Sequence, residues 1–267
     1  MADAAHKVSV SGLCKYFRDL EVLQDITVDV REGEFLSIVG PSGCGKTTFL
    51  RIVDGLEPAD EGEIRIGGRL TTKPGPDRAF VFQNDSLFPW RNVWNNAAMG
   101  LEIQGRVDAP SRDRVRSLLE LVGLQGFERF YPRQLSGGMR QRLNLARALA
   151  VNPEVLLMDE PFAALDAQTR EIMQTELLRI WESTRSTVLF ITHQIDEAVY
   201  LSDRVLVFSR RPGKIQEDIR IDLPRPREFG IKRSPEFTAY VARIWKLIET
   251  AVRESVMEDR LVSGSGT

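Results

Sequence analysis

Reactive and cross-linking residues are scarce in this chain, which carries only two cysteines, Cys14 and Cys44, and two histidines. Two thiols cannot build a disulfide framework or a four-ligand zinc site, which points to a reducing compartment, the cytoplasm. Long apolar runs are also missing. No uninterrupted stretch approaches the ~18 residues of a membrane span, and Met1 to Val10 lacks the apolar core of a signal peptide. The chain is therefore expected to cross no bilayer by itself. An excess of one charge is absent too, because 36 Lys and Arg face 38 Asp and Glu for a formal charge of −2. That balance argues against non-specific nucleic-acid binding, which a basic surplus favours. Internal repeats and low-complexity tracts are not seen.

What is present is a chain of 267 residues with alternating strand and helix signals, long enough for a substantial core. Lys7 to Ser11, Ile26 to Val30 and Glu63 to Ile66 alternate apolar with polar residues, as half-exposed antiparallel strands do. Phe35 to Val39, Ala79 to Phe82, Val155 to Met158, Val188 to Ile191 and Val205 to Phe208 are almost wholly apolar, as parallel strands covered on both faces are. Helical patterns fall between them at about Lys46 to Asp54, Arg112 to Val122, Met139 to Ala150, Gln168 to Ser183 and Asp196 to Leu201. Alternation of this kind predicts an α/β fold with a central, mostly parallel sheet and an antiparallel β subdomain. From Leu87 the alternation breaks, and a helical insert over about 87–150 is expected within a domain spanning 1–230. Past Ser209 the Pro- and Arg-rich stretch reads as an extended connector. Residues 231–267 are expected to hold an amphipathic helix, with Phe237, Val241, Ile244, Trp245, Ile248 and Val252 on its buried face, and a disordered tail over Val262 to Thr267.

Directly after the strand ending at Val39 stands Gly40-Pro41-Ser42-Gly43-Cys44-Gly45-Lys46-Thr47-Thr48, a complete G-x-x-x-x-G-K-T loop opening a helix. Glycine lets successive backbone N–H groups curl toward one anion, and the helix N-terminus adds positive potential. Lys46 supplies a mobile charge for β- and γ-phosphates, the Thr47 hydroxyl is placed for Mg²⁺, and Thr48 offers a second phosphate contact. Cys44 reads as a small filler of the loop. The bland alternative, a glycine-rich turn with a chance lysine, does not account for the strand and helix that flank it. A second apolar strand ends in Asp159-Glu160-Pro161, where ligands of open α/β sheets bind. Asp159 suits Mg²⁺, and Glu160 suits a general base that polarises an attacking water. Without the upstream loop the same pair would be an ordinary solvated turn.

At Leu135-Ser136-Gly137-Gly138-Met139-Arg140-Gln141 the chain resembles the ATP-binding subunits of ABC transporters. The resemblance covers about Val8 to Arg227 and includes the Gly40 to Thr48 loop, Gln83, Asp159-Glu160, Ala164-Leu165-Asp166 and Thr192-His193 in the family's order. Met139 stands where the most familiar signature has Gln, and the Ser-Gly-Gly core is intact. The resemblance implies a P-loop NTPase fold of ABC type and ATP hydrolysis with Mg²⁺. It implies that Phe17 stacks on adenine, with Tyr16 as the alternative ring, that Gln83 links Mg²⁺ or the attacking water to the insert, and that His193 contacts the γ-phosphate. In isolation each of these would be a core ring or a strand-end residue.

Ser136-Gly137-Gly138 opens a helix and makes a second anion site, while the first loop already takes the phosphates, so its ligand must come from elsewhere. The resemblance supplies it: a head-to-tail homodimer in which Ser136, Gly137 and Gly138 close on ATP held by the other copy, with Asp166 near the crossing. Taken alone, Asp166 is a helix cap. The family also implies two membrane-spanning permease subunits, a solute-binding protein met indirectly, no nucleic acid, and a peripheral place on the cytoplasmic face of the cell membrane. Leu87, Phe88, Trp90 and Val93 offer apolar docking anchors. The wording from Leu87-Phe88-Pro89-Trp90 to Leu223-Pro224-Arg225-Pro226-Arg227 is most similar to importers for nitrate, taurine and aliphatic sulfonates. Exporter or lipid-transport ATPases, and soluble ABC ATPases acting on nucleic acid or ribosomes, are the alternatives, and the absence of a basic patch weighs against the last.

Overall fold

The computed structural model describes residues 6–84 and 86–263, with side chains through Glu249. In chain order it runs β1 (His6–Phe17), β2 (Leu20–Arg31), β3 (Phe35–Val39), α1 (Lys46–Asp54), β4 (Glu61–Ile66), β5 (Arg69–Leu70) and β6 (Arg78–Val81). There follow α2 (Val93–Ile103), α3 (Ala109–Leu121), α4 (Gly137–Ala150), β7 (Val155–Asp159) and α5 (Ala167–Thr184). The chain closes with β8 (Thr187–Ile191), α6 (Ile195–Leu201), β9 (Arg204–Phe208), β10 (Ile215–Arg220) and α7 (Pro235–Ser263). Two compact units emerge, one of Met1–Pro74 with Thr187–Thr267 and one of Gly75–Ser186. The second is wider than the insert expected over 87–150, since it takes in β6, β7 and α5 as well, with β6 packed on α4 and paired with β7.

In the first unit, β1 and β2 form a long hairpin closed between Phe17 and Leu20, with Arg18 at φ 56 in the turn. Both strands reach well past the Lys7 to Ser11 and Ile26 to Val30 segments expected for them. β4 adds to the free edge of β1, setting Val8 opposite Ile66 and Val10 opposite Ile64, and β5 follows in the order β2-β1-β4-β5. Alternation puts Val8, Val10, Val28, Val30, Ile64 and Ile66 on the buried face, as period-2 patterning requires. A second sheet holds β10-β9-β3-β8, parallel between β9, β3 and β8. Every residue of β3 and β8 is buried, as the apolar runs predict.

Strand β10 lies where an extended connector is expected, so that reading is corrected. Ile-Gln-Glu-Asp-Ile-Arg has one buried residue, Ile219, and pairs antiparallel with β9 as an edge strand. A guanidinium fork secures it: Arg204 donates to both Asp218 oxygens at 3.0 and 2.5 Å and to Glu34 at 3.0 Å. Asp218 and Glu34 hold that guanidinium above its usual range, against the opposing pull of burial.

α7 is part of the first unit, packing on α6 and β9. Phe237 and Ile244 are buried, and Val241 and Ile248 are half-buried. Trp245, expected on that face, is 61% exposed, because its position falls beyond the edge of the stripe. Val252 lies outside the described side chains, and the tail residues 264–267 lie outside the described structure. The connector before α7 is fastened by Arg227, 4% exposed. Its Nη1 donates to the carbonyls of Val199, Tyr200 and Ser202 at 3.1, 3.0 and 2.7 Å, capping α6, and its Nη2 donates to Ile221 at 3.3 Å. Burial, reinforced by Arg225, pushes its pKa down to about 10, so it stays charged at neutral pH.

The second unit pairs β6 with β7 in parallel, from Arg78 opposite Val155 to Val81 opposite Met158, and packs α2, α3 and α4 together. Side-chain caps start its helices: Asn92 for α2, Asp108 for α3, Ser136 for α4 and Asp166 for α5. No described helix is long and apolar enough to cross a membrane. Replacing Arg227 by Met should lower the urea-unfolding free energy by about 2–4 kcal/mol, since four carbonyls lose a charged donor. Arg227→Lys should recover less than half, because one ammonium cannot span them.

Candidate functional site

The loop between β3 and α1 is built around a buried cation. Lys46, 8% exposed, donates from Nζ to the carbonyls of Gly40 and Pro41, both at 2.8 Å, and lies 3.7 Å from Cys44 Sγ. Its hydrogen-bond partners among the described residues include no carboxylate, so the loop holds positive charge that only dipoles answer. Gly45 precedes α1 at φ 103, and a Cβ there would sit 2.7 Å from Leu23 Cδ2 and 3.1 Å from the Val22 carbonyl. Only glycine lets the backbone pass this close to β2 while leaving the first N–H groups of α1 free of a side-chain cap. Thr47 and Thr48 are half-buried in the first turn. The donor set therefore fits a polyphosphate. Among the described residues no cluster of three or more His, Cys, Asp or Glu could hold a metal by itself, so Mg²⁺ would depend on few protein oxygens and on the phosphates. Cys44 is 1% exposed, and burial pushes its thiol pKa up against the opposing pull of Lys46, as suits a filler.

Two partners of this loop were not apparent in the sequence. Arg211, in the turn between β9 and β10, donates from Nε and Nη2 to the Gly43 carbonyl at 3.2 and 3.0 Å. Gly213 exchanges backbone bonds with β2, its N–H to Val22 at 2.8 Å and its carbonyl from Gln24 at 3.0 Å. A Cβ on Gly213 would strike the Cys44 carbonyl, so the turn is wedged against the loop. The Pro212-Gly213 pair, read as connector, is the one signal that marks a tight backbone approach there.

The same unit carries the candidate adenine stackers and His193. Phe17 and Tyr16 end β1 at 45% and 37% exposure, so both rings are open to a ligand. Lys15 Nζ lies 5.2 Å from the Phe17 centroid and is held by Glu57 at 3.2 Å and Asp60 at 3.4 Å. His193 is exposed in the turn between β8 and α6.

In the second unit the structure brings Gln83 and Glu160 together, Gln83 Nε2 donating to Glu160 Oε2 at 3.1 Å. Glu160 follows the last residue of β7, Asp159, which is 3% exposed. It adopts φ 48, a left-handed conformation that costs a non-glycine residue about 1–3 kcal/mol and that recurs at functional turns. Ser136 caps α4, accepting from the Met139 N–H at 3.2 Å, with Ser136 and Gly137 exposed at the helix N-terminus. A Cβ on Gly138 would lie 3.3 Å from Leu165, which joins the start of α4 to the Ala164-Leu165-Asp166 turn. Asp166 caps α5 through the Thr169 N–H at 2.9 Å, and the Thr169 bonds hold its carboxyl below the usual range.

The expected docking residues divide. Trp90 is 71% exposed, and its ring meets Phe88 at 5.2 Å. Val93 at 0% and Leu87 at 9% are core residues of this unit, so neither is a surface anchor. Their apolar side chains fill the interior under the segment instead. Asn96, fully buried and unremarked in the sequence, holds that segment: its Oδ1 accepts from the Phe88 N–H at 2.9 Å, and its Nδ2 donates to the carbonyls of Phe88, Arg91 and Asn92.

For the loop, Gly45→Ala should lower stability by about 1–3 kcal/mol and cut nucleotide affinity at least tenfold, measured by urea unfolding and by titration with a fluorescent ATP analogue.

The family model for ABC transporters matches residues 23–163. An uncharacterized ABC transporter ATP-binding protein of Methanocaldococcus jannaschii is 49% identical over 257 residues, covering 94% of each chain. The aliphatic sulfonates import ATP-binding protein of Bacillus cereus is 48% identical over 224 residues, 82% of this chain and 88% of that one. Among solved structures, a dimeric ATP-binding cassette in a post-hydrolysis state bound to ADP and Pi superposes with a TM-score of 0.73 at 31% identity, covering 81% of this chain and 100% of that one. With the phosphate loop, the signature helix and the Asp159-Glu160 strand end in place, this protein belongs to the ABC transporter family, as an ATP-binding subunit that hydrolyses ATP.

Proposed function

We propose that this chain energises a multi-subunit importer of an aliphatic sulfonate or a related small solute. The observation that carries the reading is its 48% identity to a sulfonate-import ATP-binding protein over 82% of the chain. In this reading the subunit sits peripherally on the cytoplasmic face of the membrane. It works as a homodimer on two permease subunits, which receive cargo from a solute-binding protein. Trp90 and Phe88 form the contact with the permease, on the segment that Asn96 holds.

Within the site, the backbone N–H groups of Gly40 to Thr48 and the Lys46 ammonium bind the ATP phosphates, and Phe17 stacks on the adenine. Thr47, Asp159 and Gln83 are the residues that would hold Mg²⁺, which when bound neutralises charge on the β- and γ-phosphates. Glu160 takes the proton of the attacking water, oriented by its hydrogen bond from Gln83. His193 donates a hydrogen bond to the γ-phosphate. Ser136, Gly137 and Gly138 present the α4 N-terminus to ATP on the second copy, and Asp166 stands beside that contact. ATP thereby binds the closed dimer better than the open one, and hydrolysis removes that difference.

Glu160→Gln should retain ATP binding, lose at least about a hundredfold in turnover, and accumulate as a dimer with Mg-ATP by light scattering. Near-normal hydrolysis would reject the base assignment. Trp90→Ala should leave hydrolysis by the isolated subunit intact and abolish its copurification with the neighbouring permease. Stimulation of the assembled ATPase by sulfonate-loaded binding protein tests the cargo class.

A further inference from the structure

His193 sits between two residues tied to a single buried hydroxyl. Thr192, 2% exposed, accepts the Gln194 N–H on Oγ1 at 3.0 Å and donates its own proton to Glu197 Oε2. Its backbone N–H also bonds to Ile38 of β3 at 3.3 Å. Because the hydroxyl has one proton and already accepts an amide, that proton is committed to the carboxylate, and the chain of bonds has one direction. Glu197, 3% exposed, stands third in α6, where an acidic side chain normally reaches back to the N-cap N–H. Here the N-cap is Gln194, which makes no side-chain cap of its own, and Glu197 reaches its N–H through Thr192. The turn bearing His193 is thus pinned on both sides from the interior.

We propose that Thr192 and Glu197 are positioning residues for His193, a buried relay that fixes the turn from which the imidazole meets the γ-phosphate. The proposal rests on the role given to His193 above. Both side chains are buried, so they act by holding the chain around His193, and the effect concerns the reacting step more than the binding of ATP.

The test is steady-state ATP hydrolysis by the full-length protein and its variants, with folding followed by urea unfolding. Thr192→Val, which removes the hydroxyl at constant volume, should lower kcat about tenfold with KM for ATP changed less than about twofold. Thr192→Ser, which keeps the hydroxyl, should restore most of that loss. Glu197→Gln retains an acceptor oxygen and should be milder than Glu197→Leu, which gives a second series should Thr192→Val fold poorly. In a His193→Ala background, Thr192→Val should cost less than about twofold, since the group it positions is gone. Equal losses with and without His193, or equal losses for Val and Ser, overturn the pairing and leave the role of His193 standing. Full turnover by His193→Ala overturns the role of His193 and the pairing with it.

Discussion

A buried ammonium held by the Gly40 and Pro41 carbonyls, with no carboxylate among its partners in the described residues, is the constraint on which the nucleotide-binding unit depends. Lys46 cannot be solvated at 8% exposure, and its bonds to Gly40 and Pro41 compensate it partially, so the loop keeps a net attraction for an anion. That arrangement demands a backbone curled inside its normal contact distances. Gly45 permits the approach to β2, and Gly213 permits the turn after β9 to close on Cys44. The fully buried strand β3 delivers the loop to the end of its sheet, where backbone N–H groups point outward. Gly45 and Gly213 each let backbone pack closely around the loop that carries that charge.

The two glycine-bearing helix starts differ in how they are finished. At α1 the positive end is completed within the chain, by Lys46 inside the loop and by Arg211 on the Gly43 carbonyl. At α4 the cap is Ser136 alone, with Ser136 and Gly137 exposed and Gly138 pressed against Leu165. Arg140, in the first turn of α4, donates to the Leu135 carbonyl. An exposed helix terminus free of a bulky side chain is suited to an anion brought by another molecule, which is the physical content of the head-to-tail dimer proposed above.

Features carried by contiguous residues were legible in the sequence. The apolar runs of β3, β7 and β8, the glycine-rich loop between a strand and a helix, and the Asp166 cap each follow from neighbours a few positions apart, and each appears where expected. Features carried by distant partners were not. β10 is made a strand by the fork from Arg204 and by pairing with β9, while its own six residues bury only Ile219. Arg211 belongs to the site through its guanidinium on the Gly43 carbonyl and Gly213 through a backbone contact with β2, neither of which spacing can reveal. Apolar character likewise cannot tell a surface anchor from the residue beneath it, which is why Val93 and Trp90 looked alike and Trp245 looked buried. Glu160, readable as a strand-end carboxylate, gains its hydrogen bond from Gln83 only through the parallel pairing of β6 with β7.

The burial of Leu87 and Val93 changes how the aromatic surface should be understood. A tryptophan at 71% exposure on a mobile loop would have to be ordered on association, at a cost of about 0.5–1.5 kcal/mol for each immobilised side chain and more for the backbone. Here that ordering is done in advance. Asn96 takes the Phe88 N–H and gives to three carbonyls across the turn, so every polar atom of its amide works to hold the segment. Leu87 and Val93 fix its two ends in the core, and the Phe88 ring flanks that of Trp90. In the proposed reading, a near-neutral chain gains little from bulk charge at a lipid surface, so attachment through such a face would be specific and compact. A small rigid aromatic anchor meets that requirement, because affinity there comes from complementarity and preorganisation more than from area.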